Sequence, residues 1–133
     1  MVVAEPPLFA DIEVVLMVAL ADLAETDTVT PDDDIDVGIR INRVGGTDDG
    51  ITDYPRVEIS CYAPTRNEAQ QLAEWVRRRM LTLGGEAFVV DGQKVTIDFC
   101  RTDTPPEGVP YDNPDRDRVV SWYLLGLMPP RPI

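Results

Sequence analysis

Apolar residues crowd the first stretch of the chain, where Ile12, Val15, Leu16, Ala19, Leu20 and Leu23 form one stripe at ~100° per residue. The pattern predicts a helix from Leu8 to about Glu25, with Pro6 and Pro7 at its start, where a missing N–H costs nothing. Val14, Met17, Val18 and Ala21 lie largely on the other side, so this helix is apolar almost all round. A small domain covers one face of such a helix easily and a second face poorly. The outer positions Val14, Met17 and Val18 therefore point to oligomerisation.

After a turn-rich stretch from Thr26 to Asp34, strict alternation begins. Ile35, Val37, Ile39 and Ile41 face one way and Asp36, Arg40 and Asn42 the other, as in a half-buried strand. Val57, Ile59 and Cys61 alternate with Arg56, Glu58 and Ser60, predicting a second strand that forms a hairpin with the first. The connection from Val44 to Tyr54 carries Gly45, Gly46, Gly50 and three Asp residues, Asp48 and Asp49 among them, and reads as a long loop.

Thr65 and Glu68 have the spacing of a capping box, and Ala69, Leu72, Ala73, Val76, Met80 and Leu83 follow within one arc of about 100°, up to a stop at Gly84-Gly85. This second helix should cover one face of the sheet. Trp75 projects beyond the edge of that arc and Leu81 lies nearly opposite its centre, so both are candidates for an external contact; the Trp75 ring could equally lie along the sheet edge.

Ala87 to Val90, Asp91-Gly92 and Lys94 to Cys100 read as a tight hairpin, because Asp-Gly suits the positive φ angles of a two-residue turn. Thr102 to Asp117, with Tyr111 and Arg116, reads as a second long loop. Arg118 to about Leu127 carries apolar residues on both faces, as expected of a central strand covered on both sides. Residues 129–133 should form an extended Pro-rich tail unable to continue the sheet. The order α-β-β-α-β-β predicts a single α+β domain over residues 1–133, with a mainly antiparallel sheet of about four strands packed with two helices.

Composition narrows the chemistry. The 133 residues are 44% hydrophobic and carry a formal charge of −12, which fits neither a disordered chain nor a basic nucleic-acid binder. Residues 1–53 hold a net −11, residues 54–101 a net +1 and residues 102–133 a net −2. Such an acidic first part either forms a solvated face or pairs with a basic surface on a partner or another copy. Arg77, Arg78 and Arg79 are likewise either a solvated helix end or the group that meets the acidic part of a neighbouring copy.

With no His, a Ser-His-Asp triad, a Cys-His pair and histidine-ligated metals are excluded. Cys61 and Cys100 are expected to be free thiols behaving as small buried hydrophobes, in a soluble protein made in a reducing cytoplasm. No apolar run approaches the ~20 residues of a membrane span, and no Lys or Arg precedes Arg40 as a signal peptide would require. Neither phosphate-cradling glycine spacing is present, and the clusters Asp32, Asp33, Asp34, Asp36 and Asp112, Asp115, Asp117 lack the spacing of a Ca²⁺ loop. No catalytic, cofactor-binding or metal-binding residue is indicated.

Tyr54-Pro55-Arg56-Val57-Glu58-Ile59, then Tyr62-Ala63-Pro64-Thr65-Arg66 and the helix Glu68-Ala69-Gln70-Gln71-Leu72-Ala73, resemble the tail-terminator (tail-completion) proteins of long-tailed bacteriophages (siphoviruses), above all those infecting actinobacteria. The Asp11 to Leu23 helix, Tyr111-Asp112-Asn113-Pro114 and Arg118-Val119-Val120 are similar too. The resemblance implies a non-enzymatic virion protein of the tail or neck, assembled in the host cytoplasm. It would form a homo-hexameric ring on the head-proximal end of the tail tube, meeting the tube protein on one side and the head-completion or stopper protein on the other. DNA would pass through the lumen without specific binding, and no membrane is involved. The candidate interface residues are Val14, Met17, Val18, Asp48, Asp49, Tyr54, Trp75, Arg77, Arg78, Arg79, Leu81, Tyr111 and Arg116. Competing readings are another connector component (the stopper or the tube protein), an acidic DNA-mimic inhibitor, and a small carboxylate enzyme.

Overall fold

Six hydrogen-bonded strands in the order β1-β2-β3-β6-β5-β4, with β7 against β5, make one sheet in the computed structural model, which describes residues 7–133. The elements are α1 (Ile12–Leu20), β1 (Glu25–Asp27), β2 (Gly38–Asp48), β3 (Asp53–Ala63), α2 (Arg66–Met80), β4 (Ala87–Val90), β5 (Gln93–Val109), β6 (Asp117–Leu127) and β7 (Arg131–Pro132). The α+β class holds. The sheet has seven strands rather than about four, and it is mixed, because β1 pairs β2 in parallel while every other pair is antiparallel.

Both helices lie on one face. Ile39 and Ile41 of β2, Val57, Ile59 and Cys61 of β3, Val95 and Ile97 of β5, and Val119, Tyr123, Leu125 and Leu127 of β6 share one buried cluster with the inner faces of α1 and α2. Helix α2 crosses β3, β6 and β5, whereas α1 touches β1 and β2 near one end of the sheet and β4 at the other. The sheet therefore curls around α1. The strand β6 is central, as expected, but on the face away from the helices Trp122 and Leu124 are only half-buried, whereas Tyr62 and Val120 there are buried, Tyr62 beneath Tyr111 and Arg116.

Helix α1 is shorter than its apolar stretch. Asp11 caps it by accepting from the Glu13 amide at 2.9 Å, so the start lies after Pro7; Pro6 lies outside the described residues. At the other end the chain leaves the helix after Leu20 to supply β1. Helix α2 follows expectation: the Thr65 hydroxyl accepts from the Glu68 amide at 3.2 Å, and Ala69, Leu72, Ala73, Val76 and Met80 are buried.

The two expected long loops are largely strand. Strands β2 and β3 continue to Asp48 and from Asp53, leaving a turn at Asp49 to Thr52. A register shift between Arg43 and Gly45 opens room for two glycines where the chain twists. Gly46 has φ +113°, and a Cβ there would collide with the Tyr54 carbonyl. Strand β5 likewise runs on to Val109, with Pro105 and Pro106 taken up in the irregularity between Thr104 and Glu107. Its opposite edge pairs with β4 and β7 only as far as Thr96, so the missing proline donors cost no ladder bonds on that side.

Conversely, the expected strand over Ile35 and Val37 begins only at Gly38, because the preceding carbonyls are held elsewhere, as described below. The Pro-rich tail does continue the sheet: Arg131 pairs with Lys94 and Pro132 with Gln93, on an edge where proline is tolerated. The Asp91-Gly92 turn is as expected, with φ 51° and 75° between β4 and β5.

Substituting Gly46→Ala should destabilise the protein by about 1–3 kcal/mol through positive-φ strain and backbone collision. Thermal unfolding of both chains checks this, and an unchanged midpoint refutes it.

Candidate assembly surfaces

Three surfaces gather most of the residues singled out in the sequence. On the helix layer, Val14 and Met17 are half-buried against the core while Val18, Trp75 and Leu81 are each about half exposed, at 50%, 51% and 50%. Trp75 lines, with Leu23, Arg78, Arg79 and Thr82, a groove of about 300 Å³.

The three arginines beside this groove differ. Arg79 donates to both carboxylate oxygens of Asp22 at 2.6 and 2.9 Å and to the Ala19 carbonyl at 2.8 Å, locking α2 to the end of α1. Its guanidinium holds the Asp22 carboxyl below the ordinary value. Part of the expected meeting between these arginines and the acidic first part of a chain thus occurs within one chain. Arg77 approaches Glu74 at 3.7 Å, and Arg78 is exposed with no ion pair among the described residues.

The second surface is the tip of the β2–β3 hairpin. Asp48 accepts from the Gly50 amide at 3.0 Å, and Asp49 accepts from the amides of Ile51 and Thr52 at 2.9 and 2.7 Å. The Asp49 amide donates back to the Thr52 carbonyl at 3.2 Å, and the half-buried Tyr54 offers its hydroxyl to Asp49 at 3.4 Å. This self-bonded turn leaves one large side chain outside it, Ile51, which is 72% exposed. Beside the turn, Arg43 of β2 holds buried Asp53, the first residue of β3, in a bidentate pair at 2.7 and 2.8 Å, while the Arg43 amide donates to Glu13 of α1 at 2.8 Å. The pair lines a cleft of about 730 Å³ beside Phe9 and Val90, so its buried carboxylate is already occupied.

Arg116 and Tyr111 form the third group, and Arg116 is an internal clamp, 6% exposed. Its two terminal nitrogens donate to the carbonyls of Pro31, Asp32 and Ile35 at 2.9, 3.2 and 3.4 Å and to the Tyr111 hydroxyl at 3.3 Å. The rings of Tyr62 and Tyr111 sit at 5.5 and 5.8 Å from the guanidinium carbon. These bonds draw residues 31–35 off the sheet and explain the late start of β2.

Sequence reasoning missed two further features. Ile51 falls inside the stretch expected as a long loop, although Asp-Asp-Gly before it and Thr after it carry an Asx-turn signal. The uncovered sheet face carries a lattice in which Glu58 accepts from Arg40 and Arg118 at 3.2 Å each, Ser60 accepts from Arg118, and Arg56 meets Asp103 at 2.8 Å. Phe99 lies over Gly126 on this face, 6.2 Å from the Tyr54 ring.

Cys61 and Cys100 are free, and burial pushes both thiols up to about 12. Among the described residues, no three His, Cys, Asp or Glu are grouped to hold a metal ion, and no helix is long and apolar enough to cross a membrane.

A curled sheet with both helices on one face, a self-bonded turn at residues 49–52 and half-exposed apolar side chains describe a module organised around outer surfaces. The chain belongs to the phage tail termination protein family, which it matches over residues 8–133. It is thus a structural protein of the phage tail. A chain in the virion of a native gene transfer agent particle shares the fold, with a TM-score of 0.56 at 12% identity over 86% of this chain and 84% of that one. No curated protein sequence matches it.

The turn should respond to acid in a defined direction. Donation from the Thr52 and Ile51 amides holds the Asp49 carboxyl below its ordinary value of 3.8. Its folded pKa lies below the unfolded one, so the stabilisation is complete above the unfolded value and is lost as pH falls through the folded value. The Ile51 and Thr52 amide resonances should titrate with a midpoint below 3.8, and Asp49→Ala should abolish that step. A midpoint at or above 3.8 contradicts the geometry.

Proposed function

We propose that this protein is a non-enzymatic tail terminator: a single domain that assembles into a hexameric ring on the head-proximal end of a siphovirus tail tube. There it stops tube polymerisation and provides the surface on which the head docks. Its partners are further copies of itself, the tube protein and the head-completion or stopper protein of the neck, and assembly takes place in the host cytoplasm.

Family membership across residues 8–133 carries this reading. The surfaces support it physically. Val18, Trp75 and Leu81 leave apolar area on the helix layer that a solitary domain gains nothing by exposing. A ring has separate lateral, upper and lower contacts, and this fold has separate elements to serve them, the β2–β3 hairpin and the far half of β5. The net charge of −12 suits a lumen that DNA must slide through, because carboxylates repel phosphates.

Electron microscopy of tails made with and without the protein tests the proposal. Without it, tubes should be overlong or should fail to join heads; with it, a capping ring should appear at the head-proximal end. Normal tails that join heads in its absence would remove the reading.

A further inference from the structure

The hairpin tip and the helix-layer groove each pair an apolar group with charge, and the charges are opposite. All the hydrogen bonds of the tip run within the hairpin itself. The tip presents a single apolar knob, Ile51, 72% exposed and flanked by Asp48 and Asp49, neither of which forms a salt bridge among the described residues. The groove, about 300 Å³, has apolar walls in Leu23 and Trp75 and, among the described residues, a cation without an ion pair at its rim, Arg78.

We propose that Ile51 of one copy seats between Leu23 and Trp75 of the next copy, with Asp48 and Asp49 facing Arg78. This rests on the ring reading above and assigns the surfaces that would close the ring.

Three physical points carry it. The tip is ordered before contact, through the amide bonds to Asp48 and Asp49 and the bidentate pair of Arg43 and Asp53 beside it, so docking costs little backbone entropy. The groove is equally fixed, because Arg79 is committed to Asp22 and Ala19 and holds its floor, leaving Arg78 as the unengaged cation. Finally, tip and groove are different surfaces of one chain, so the contact is head-to-tail, the type that propagates around a closed ring; a self-complementary patch would stop at a dimer. The buried knob contributes affinity, and the charges fix register and exclude inverted docking.

A cysteine pair tests this in the full chain. Ile51→Cys and Thr82→Cys place thiols at the knob and in the groove, both at exposed positions, while the native thiols are held unreactive by burial. Tails assembled with the double variant are oxidised mildly, run without reductant and probed for this protein, with rings scored by electron microscopy on the same sample. A ladder of self-multiples with the double variant, absent from either single variant, is the expected result. Rings without a ladder overturn the knob-and-groove contact while leaving the ring reading intact. Absence of any ring on wild-type tails overturns both. Cross-linking of the Ile51→Cys thiol to the tube or head protein also overturns it.

A second variant guards against a local geometric failure of the disulfide. Ile51→Asp, with folding checked by circular dichroism, should lower ring occupancy about tenfold or more, and Ile51→Leu should retain it. Full occupancy with Ile51→Asp refutes the proposal.

Discussion

The structure depends on the register of β3 against β6. Val57 lies opposite Tyr123, Ile59 opposite Ser121 and Cys61 opposite Val119, so the apolar sets of two long strands fall on the same face. A slip of one residue would turn Glu58 and Arg56 toward the helices and expose the core. Once this register is set, α2 has a continuous apolar floor, and α1 can bridge β2 and β4 only because the twist of the long sheet brings its two ends toward each other. The same register places Arg40, Glu58 and Arg118 together on the uncovered face, where shared hydrogen bonds satisfy charges that would otherwise stand alone.

How much of this was legible in the sequence depended on whether the deciding interactions were local. The cap at Thr65, the apolar arc of α2 and the Asp91-Gly92 turn are set by residues within a few positions of one another, and each follows its sequence signal. The distal halves of β2 and β5 did not read as strands because Gly45, Gly46, Pro105 and Pro106 are turn formers by propensity. Their pairing is imposed by β3 and β6, and bulges absorb the awkward residues. Ile35 and Val37 failed in the opposite sense. Their alternation fits a strand, but Arg116, some eighty positions away, claims the carbonyls that precede β2. The half-exposed Val18 on the outer side of α1 was legible from periodicity, although Val14 and Met17 beside it are half-buried against the core. Ile51 was not, since its prominence comes from a turn that folds every neighbouring polar group onto itself.

The charges divide by whether they are already engaged. Arg43, Arg79, Arg116 and Arg118 are spent on internal links: β2 to the start of β3 through Asp53, α2 to α1, loop to loop, and β6 to β3. Exposed ion pairs contribute at most about 1 kcal/mol each. The exposed Arg79–Asp22 pair therefore matters chiefly as a geometric restraint, whereas Arg116 and the Asp53 carboxylate are buried, so removing a partner there would leave a buried charge uncompensated. Arg78 and the acidic residues of the hairpin tip remain outside this internal accounting, on opposite members of the complementary pair of surfaces.

The open backbone edge of β5 bears on how copies associate. An unpaired edge is a ready template for strand addition, which would join chains without selecting a partner. Here the exposed half of that edge carries Pro105 and Pro106 and is interrupted by register shifts, so a second strand finds missing donors and a broken ladder. Association is thereby directed away from backbone pairing and toward side-chain contacts, which discriminate between partners.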